Sequence, residues 1–179
     1  MKLKILFTSV FCLMLATYGG TTTFASELEQ NQGIDVSVET ADNGIITLSD
    51  GDKEIGVFFP EEVLDDMPDV HQSLIKSGLG IMHSVNASIK PSTTKSYPSN
   101  YFYKNDTIAF SVRWNYLSST SFGVTLPSPY NPVTLSTTTS GTFIGTYVSK
   151  INGTCNAFIK NNSTTRTSTY TGNITYKIS

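Results

Sequence analysis

The chain has 179 residues, with 14 acids, 12 bases, two histidines and two cysteines, for a formal charge of −2. That length holds one ordinary domain with an extension, and so few cysteines exclude a disulfide framework. The near-neutral total hides an uneven distribution: thirteen of the acids lie between Glu27 and Asp69 with Lys53 as the only base, whereas beyond residue 70 nine bases stand against Asp106 alone.

Residues 1–25 read as a secretory signal. Lys2 and Lys4 precede an uncharged apolar run, and Thr23-Phe24-Ala25 supplies small residues for cleavage. The run falls short of the roughly 20 apolar residues that span a bilayer. The expectation is a secreted, extracellular protein, and the short Lys-rich start suggests a Gram-positive bacterium. Cys12 leaves with the signal, so Cys155 is the one cysteine expected in the mature chain.

Residues 34–39 alternate apolar and polar and predict a first strand. Residues 45–49 and 53–59 flank Asp50-Gly51, which predicts a hairpin because a two-residue turn needs positive φ. Pro60-Glu61-Glu62 opens a short helix, with acids at the positive end of its dipole and Val63, Leu64 and Met67 as its apolar stripe. Ile81, Val85, Ala87 and Ile89 share one parity and suggest another strand, and residues 90–95 look like a linker.

After that linker about a third of the residues are Ser or Thr, with eight of the nine tyrosines and the only tryptophan. Residues 107–116 give the clearest strand, with Ile108, Phe110, Val112, Trp114 and Tyr116 on one face. Phe122, Val124 and Leu126 continue the pattern. Residues 142–150 and 154–161 flank Asn152-Gly153, a second hairpin signal, and residues 170–178 form the last strand. Short strands at such spacing predict a mainly β protein: an antiparallel β-sandwich or small barrel over residues 91–179, preceded by an acidic hairpin-and-helix segment over residues 26–90.

Catalytic chemistry finds little support. His71 and His83 stand twelve residues apart, without the i,i+4 spacing that puts two imidazoles on one metal. Cys155 shares the parity of Ala157 and Ile159, so it is expected in the core as a small apolar filler, with pairing between chains as the alternative. Asp50-Gly51-Asp52-Lys53-Glu54 begins like a calcium loop but lacks the glycine and glutamate at the required places. No catalytic residue, metal site or cofactor is expected, and nucleic acid is not an expected partner.

Tyrosines, hydroxyls and amides on a rigid sheet suit an adaptable recognition surface. Tyr97, Tyr101 and Tyr103, with Arg113, Lys160 and Arg166, are the candidate binding residues. The expected function is non-catalytic recognition of anionic or sugar-rich cell-wall or cell-surface material, masked by the acidic front segment. The alternative is a precursor of a membrane-active toxin or antimicrobial protein, released by removal of that segment onto an anionic membrane. Residues 133–149 would then open as an amphipathic hairpin.

Overall fold

A computed structural model describes residues 33–70, 72, 79–115 and 118–179. The signal segment, His71 and Tyr116 lie outside the described residues.

Among the described residues these elements follow in chain order: β1 (Ser37–Thr40), β2 (Ile46–Asp50), β3 (Lys53–Pro60), α1 (Glu61–Asp66), β4 (Leu79–Ile89), β5 (Thr94–Ser96), β6 (Asn100–Phe102), β7 (Thr107–Trp114), β8 (Thr120–Thr125), β9 (Val133–Thr138), β10 (Thr142–Ser149), β11 (Gly153–Asn161) and β12 (Ser168–Ile178); residues 68–70 and 72 are helical too. They form two antiparallel sheets packed as a sandwich. The larger has seven strands in the order β1-β2-β3-β10-β7-β12-β4; the smaller runs β5-β11-β8-β9, with β6 also on β11.

The alternation in β7 sets the interior. Ile108, Phe110, Val112 and Trp114 are buried, whereas Ser111 and Arg113 are exposed. Facing them from the smaller sheet are Phe122 and Val124 of β8 and Cys155, Ala157 and Ile159 of β11, all fully buried. Phe122 stacks on Phe143 of β10 with ring centroids 4.3 Å apart, and Phe143 also meets Phe58 and Phe110. Each fully buried ring of this kind contributes about 2–3 kcal/mol by removing apolar area from water.

Among the described residues, three hydrogen bonds cross between the sheets inside this apolar layer. Ala157 N–H donates to the Tyr176 hydroxyl at 2.9 Å, Thr120 and Tyr170 share a hydroxyl pair at 2.9 Å, and Asn161 Nδ2 donates to the Ile89 carbonyl at 2.9 Å. The first has a clear cause. The edge beside β11 is broken between β5 and β6 by Tyr97-Pro98-Ser99, so Ala157 N–H loses a strand partner and a phenol from β12 replaces it.

The structure differs from the sequence reading in three places. Asp50 pairs with Lys53, so the first hairpin turns on Gly51-Asp52, with Gly51 at φ 57 as a type II′ turn requires. The Asn152-Gly153 signal does not make a hairpin, because β10 belongs to the larger sheet and β11 to the smaller. Gly153 adopts φ 145 and packs where a Cβ would lie 2.5 Å from Pro127 Cβ, so its glycine serves a sheet-to-sheet crossing.

In the fold, residues 133–149 span both sheets, with β9 at the edge of the smaller sheet and β10 between β3 and β7. The third difference concerns residues 90–95. They form a tethered turn, with Thr93 Oγ1 on the Lys90 carbonyl at 2.9 Å and Ser92 N–H on the Ser163 carbonyl at 2.9 Å. Strands from both sides of that turn share the larger sheet, and residues Gly33–Ser179 form one compact unit. β3 can dock on β10 because Val57 and Val148 form a buried pair on the outer face of the sheet. There α1 packs against both strands and buries Leu64, while Met67 stays exposed.

Candidate functional site

Alternate loops of an antiparallel sandwich gather at the same end. Here the β2–β3 turn, the β6–β7 loop, the β8–β9 loop and the β10–β11 crossing meet around a pocket of about 470 Å³. Its lining includes Lys53, Lys104 and Lys150 over Pro127-Ser128-Pro129-Tyr130, with no carboxylate, imidazole or thiol among the lining side chains.

The loops that carry these lysines are held tightly. Asp106 is buried, and one of its oxygens accepts from Tyr103 N–H at 2.7 Å. Its other oxygen accepts from the backbone N–H and hydroxyl of Ser179, at 2.9 and 2.7 Å. Lys104 N–H donates to Asn152 Oδ1 at 2.8 Å, tying the β6–β7 loop to the β10–β11 crossing. Asn105 takes φ 77, a left-handed conformation that asparagine tolerates better than most residues, and donates its N–H to the Ser149 carbonyl at 2.7 Å. The side chains of Tyr103 and Lys104 therefore project from a fixed frame.

Nearby acids only partly offset the lysines. Asp50 accepts the Tyr130 hydroxyl at 2.9 Å, which raises the Tyr130 pKa, chiefly because that hydrogen bond favours the neutral phenol. Glu54 lies 3.9 Å from Lys150, longer than a charge-assisted hydrogen bond. Beside the pocket, Tyr101 and Tyr103 form an edge-to-face pair with centroids 5.2 Å apart, and each is about half exposed, at 53% and 51%. Two rings held in the open present amphipathic faces with little conformational entropy left to lose.

The other candidate residues from sequence do not join this cluster. Tyr97 is buried at 7% exposure, its hydroxyl has no hydrogen-bond partner, and burial pushes its pKa up to about 12. Arg113 points outward from β7 on the larger sheet, and Lys160 outward from β11 on the smaller, so they face opposite sides of the sandwich. Arg166 lines a separate cavity of about 420 Å³ with Ser118, Ser119 and residues 162–165. Lys53, Lys104 and Lys150 went unrecognised in the sequence. Their shared signal is that each sits within two residues of a Gly or Asn turn signal, where loops of one sandwich end could converge.

Several groups are built for packing. Cys155 is fully buried and burial pushes its thiol up to about 12, so pairing between chains requires the sandwich to open. His83 lies on β4 with its ring edge-on to Tyr176 at 4.7 Å and its Nε2 unpaired. Among the described residues no three of His, Cys, Asp and Glu are grouped to hold a metal. At the opposite end of the strands a cleft of about 610 Å³ is floored by Ile46, Phe58, Leu135 and Phe143 and carries Glu61 and Glu62. Comparison with known proteins finds no matching family model, no matching curated protein and no matching solved structure.

Proposed function

We propose that this is a secreted, non-catalytic binding protein whose lysine-lined, tyrosine-flanked end recognises anionic or sugar-rich cell-surface polymers. The observation that carries the reading is the convergence of Lys53, Lys104 and Lys150 on one pocket beside the Tyr101–Tyr103 pair. Flexible ammonium groups suit a repeating anion such as a phosphate-linked polymer, because each is a compact charge that needs no fixed partner geometry. The exposed rings suit the apolar face of a sugar. In this reading the acidic front segment is part of the site rather than a mask, since β3 supplies Lys53.

The test is binding to immobilised teichoic acid, compared with a neutral glycan of similar length. Lys53→Gln, Lys104→Gln and Lys150→Gln together are expected to weaken binding to the anionic polymer by about tenfold or more, at up to 1 kcal/mol per exposed charge contact. Arg113→Gln serves as the control, since it lies away from the pocket. Equal loss with the control and the triple variant refutes the assignment. Undiminished binding to the neutral glycan alone shifts recognition to the tyrosine pair.

A further inference from the structure

A sheet edge exposes unpaired N–H and C=O groups, and natural proteins blunt such edges with short strands, charge, proline or bulges. Three of the four edges here are blunted. β1 is four residues long and carries Glu39. β9 is six residues long, follows Pro132, and is bulged against β8 between Phe122 and Gly123. β5 and β6 are three residues each, divided at Pro98, and β5 carries Lys95.

The fourth edge is different. β4 runs eleven residues, Leu-Gly-Ile-Met-His-Ser-Val-Asn-Ala-Ser-Ile, with no Asp, Glu, Lys, Arg or Pro. It pairs with β12 through eleven consecutive residues without a register shift, so it is not kinked away. Among the described residues, no backbone hydrogen bond outside that ladder engages residues 80–88. Two large hydrophobics stand exposed on it, Ile81 at 41% and Met82 at 66%.

We propose that β4 is a pairing edge, and that its occupant is β4 of a second copy of this chain, joined antiparallel about a two-fold axis near Ser84. The charge-free character of the strand argues for its own copy. Two copies of β4 carry no charge to repel each other and match in length without a break, as a two-fold interface demands. Each copy's seven-stranded sheet then continues into the other's, and both rows of unpaired backbone groups are satisfied together. The lysine-lined pocket belongs to loops outside this strand, so each copy keeps its own and a pair offers two to one polymer.

In the centred register Met82 stands opposite Asn86 of the other copy, twice per dimer. Both side chains are exposed on one face of the sheet, so charges placed there leave the core intact. Sedimentation equilibrium of the full chain is expected to show a monomer–dimer equilibrium. Met82→Lys with Asn86→Lys opposes like charges and is expected to weaken the dimer about tenfold or more. Met82→Lys with Asn86→Glu opposes unlike charges and is expected to retain it. Circular dichroism melting of both variants checks that each is folded. A chain monomeric at every concentration overturns the proposal and leaves the edge to an extended segment of another protein. A dimer indifferent to both variants, or weakened equally by both, also overturns it.

Discussion

Replacing Tyr176 by Phe removes one oxygen atom and tests how the two sheets are joined. The hydroxyl accepts Ala157 N–H at 2.9 Å across the sandwich, and Ala157 is fully buried, so no water can substitute at that place. Leaving a buried donor unpaired costs about 1–3 kcal/mol. The ring itself keeps its contacts with Phe102 at 5.4 Å and His83 at 4.7 Å, so no cavity larger than the lost oxygen opens. For a domain of this size about 2 kcal/mol corresponds to a melting temperature lower by about 4–8 °C. Tyr97→Phe is the matched control. It deletes a buried hydroxyl that has no partner and is expected to be neutral or slightly stabilising. Calorimetric melting of both variants, with hydrogen exchange at the Ala157 amide, reads the difference. Equal melting temperatures for the two, or a larger loss for Tyr97→Phe, refute the reasoning.

Alkali should unfold the protein steeply. Burial raises the pKa values of Cys155, Tyr97 and Tyr176 to about 12 and raises that of Tyr147 as well. These groups favour their neutral forms in the fold, so above about pH 9–10 the unfolded chain sheds protons that the folded chain retains. Stability then falls as pH rises, by about 1.4 kcal/mol per unit for each such group until its folded value is reached. Tyrosinate absorbance should show these phenols ionising only with loss of structure; their reversible titration in a folded protein contradicts the burial. Cys155 should resist alkylation at pH 8 by about a thousandfold relative to the denatured chain, because so little of it is thiolate. Fast labelling of native protein, or a disulfide-linked dimer on a non-reducing gel, counts against the sandwich as described.

What the sequence disclosed depended on how far each signal reaches. β7 was legible because an apolar buried face and a more polar outer face impose a period of two along its eight residues. β8 and β11 are less regular for a physical reason: Ser121 and Asn156, which by parity face away from the core, are buried too. Turn chemistry gave the β2–β3 pairing but misled at the second signal. Asn152-Gly153 supplies positive φ, but a positive φ serves a crossing between sheets as well as a hairpin, and only the partner strand decides which. Tyr97 shows the same limit. It lies in the break after the three-residue β5, where no alternating run extends to show which tyrosine is buried, so Tyr97 was grouped with Tyr101 and Tyr103 although it is buried. The lysine pocket was the least visible feature, because its members are about fifty residues apart and meet only through topology.

The charge asymmetry along the chain takes a different meaning once the strands are ordered. An acidic front segment bound to a separate basic module would be held largely by long-range attraction, and salt would release it. In the folded chain β3 is instead hydrogen-bonded to β10 over five residue pairs and buries Val57 against Val148. That attachment is backbone and apolar, and at this junction an ion pair, Lys150 with Glu54, is partly exposed. Raising salt from 50 to 500 mM should therefore leave the hydrogen-exchange protection of β3 amides within a few-fold, since a surface pair is worth at most about 1 kcal/mol. The same change should weaken binding of an anionic polymer at the lysine pocket substantially, because those charges are exposed and screened. Loss of β3 protection at high salt, with polymer binding improved rather than weakened, is the outcome of a displaceable mask and would sink the single-sandwich account of the acidic segment.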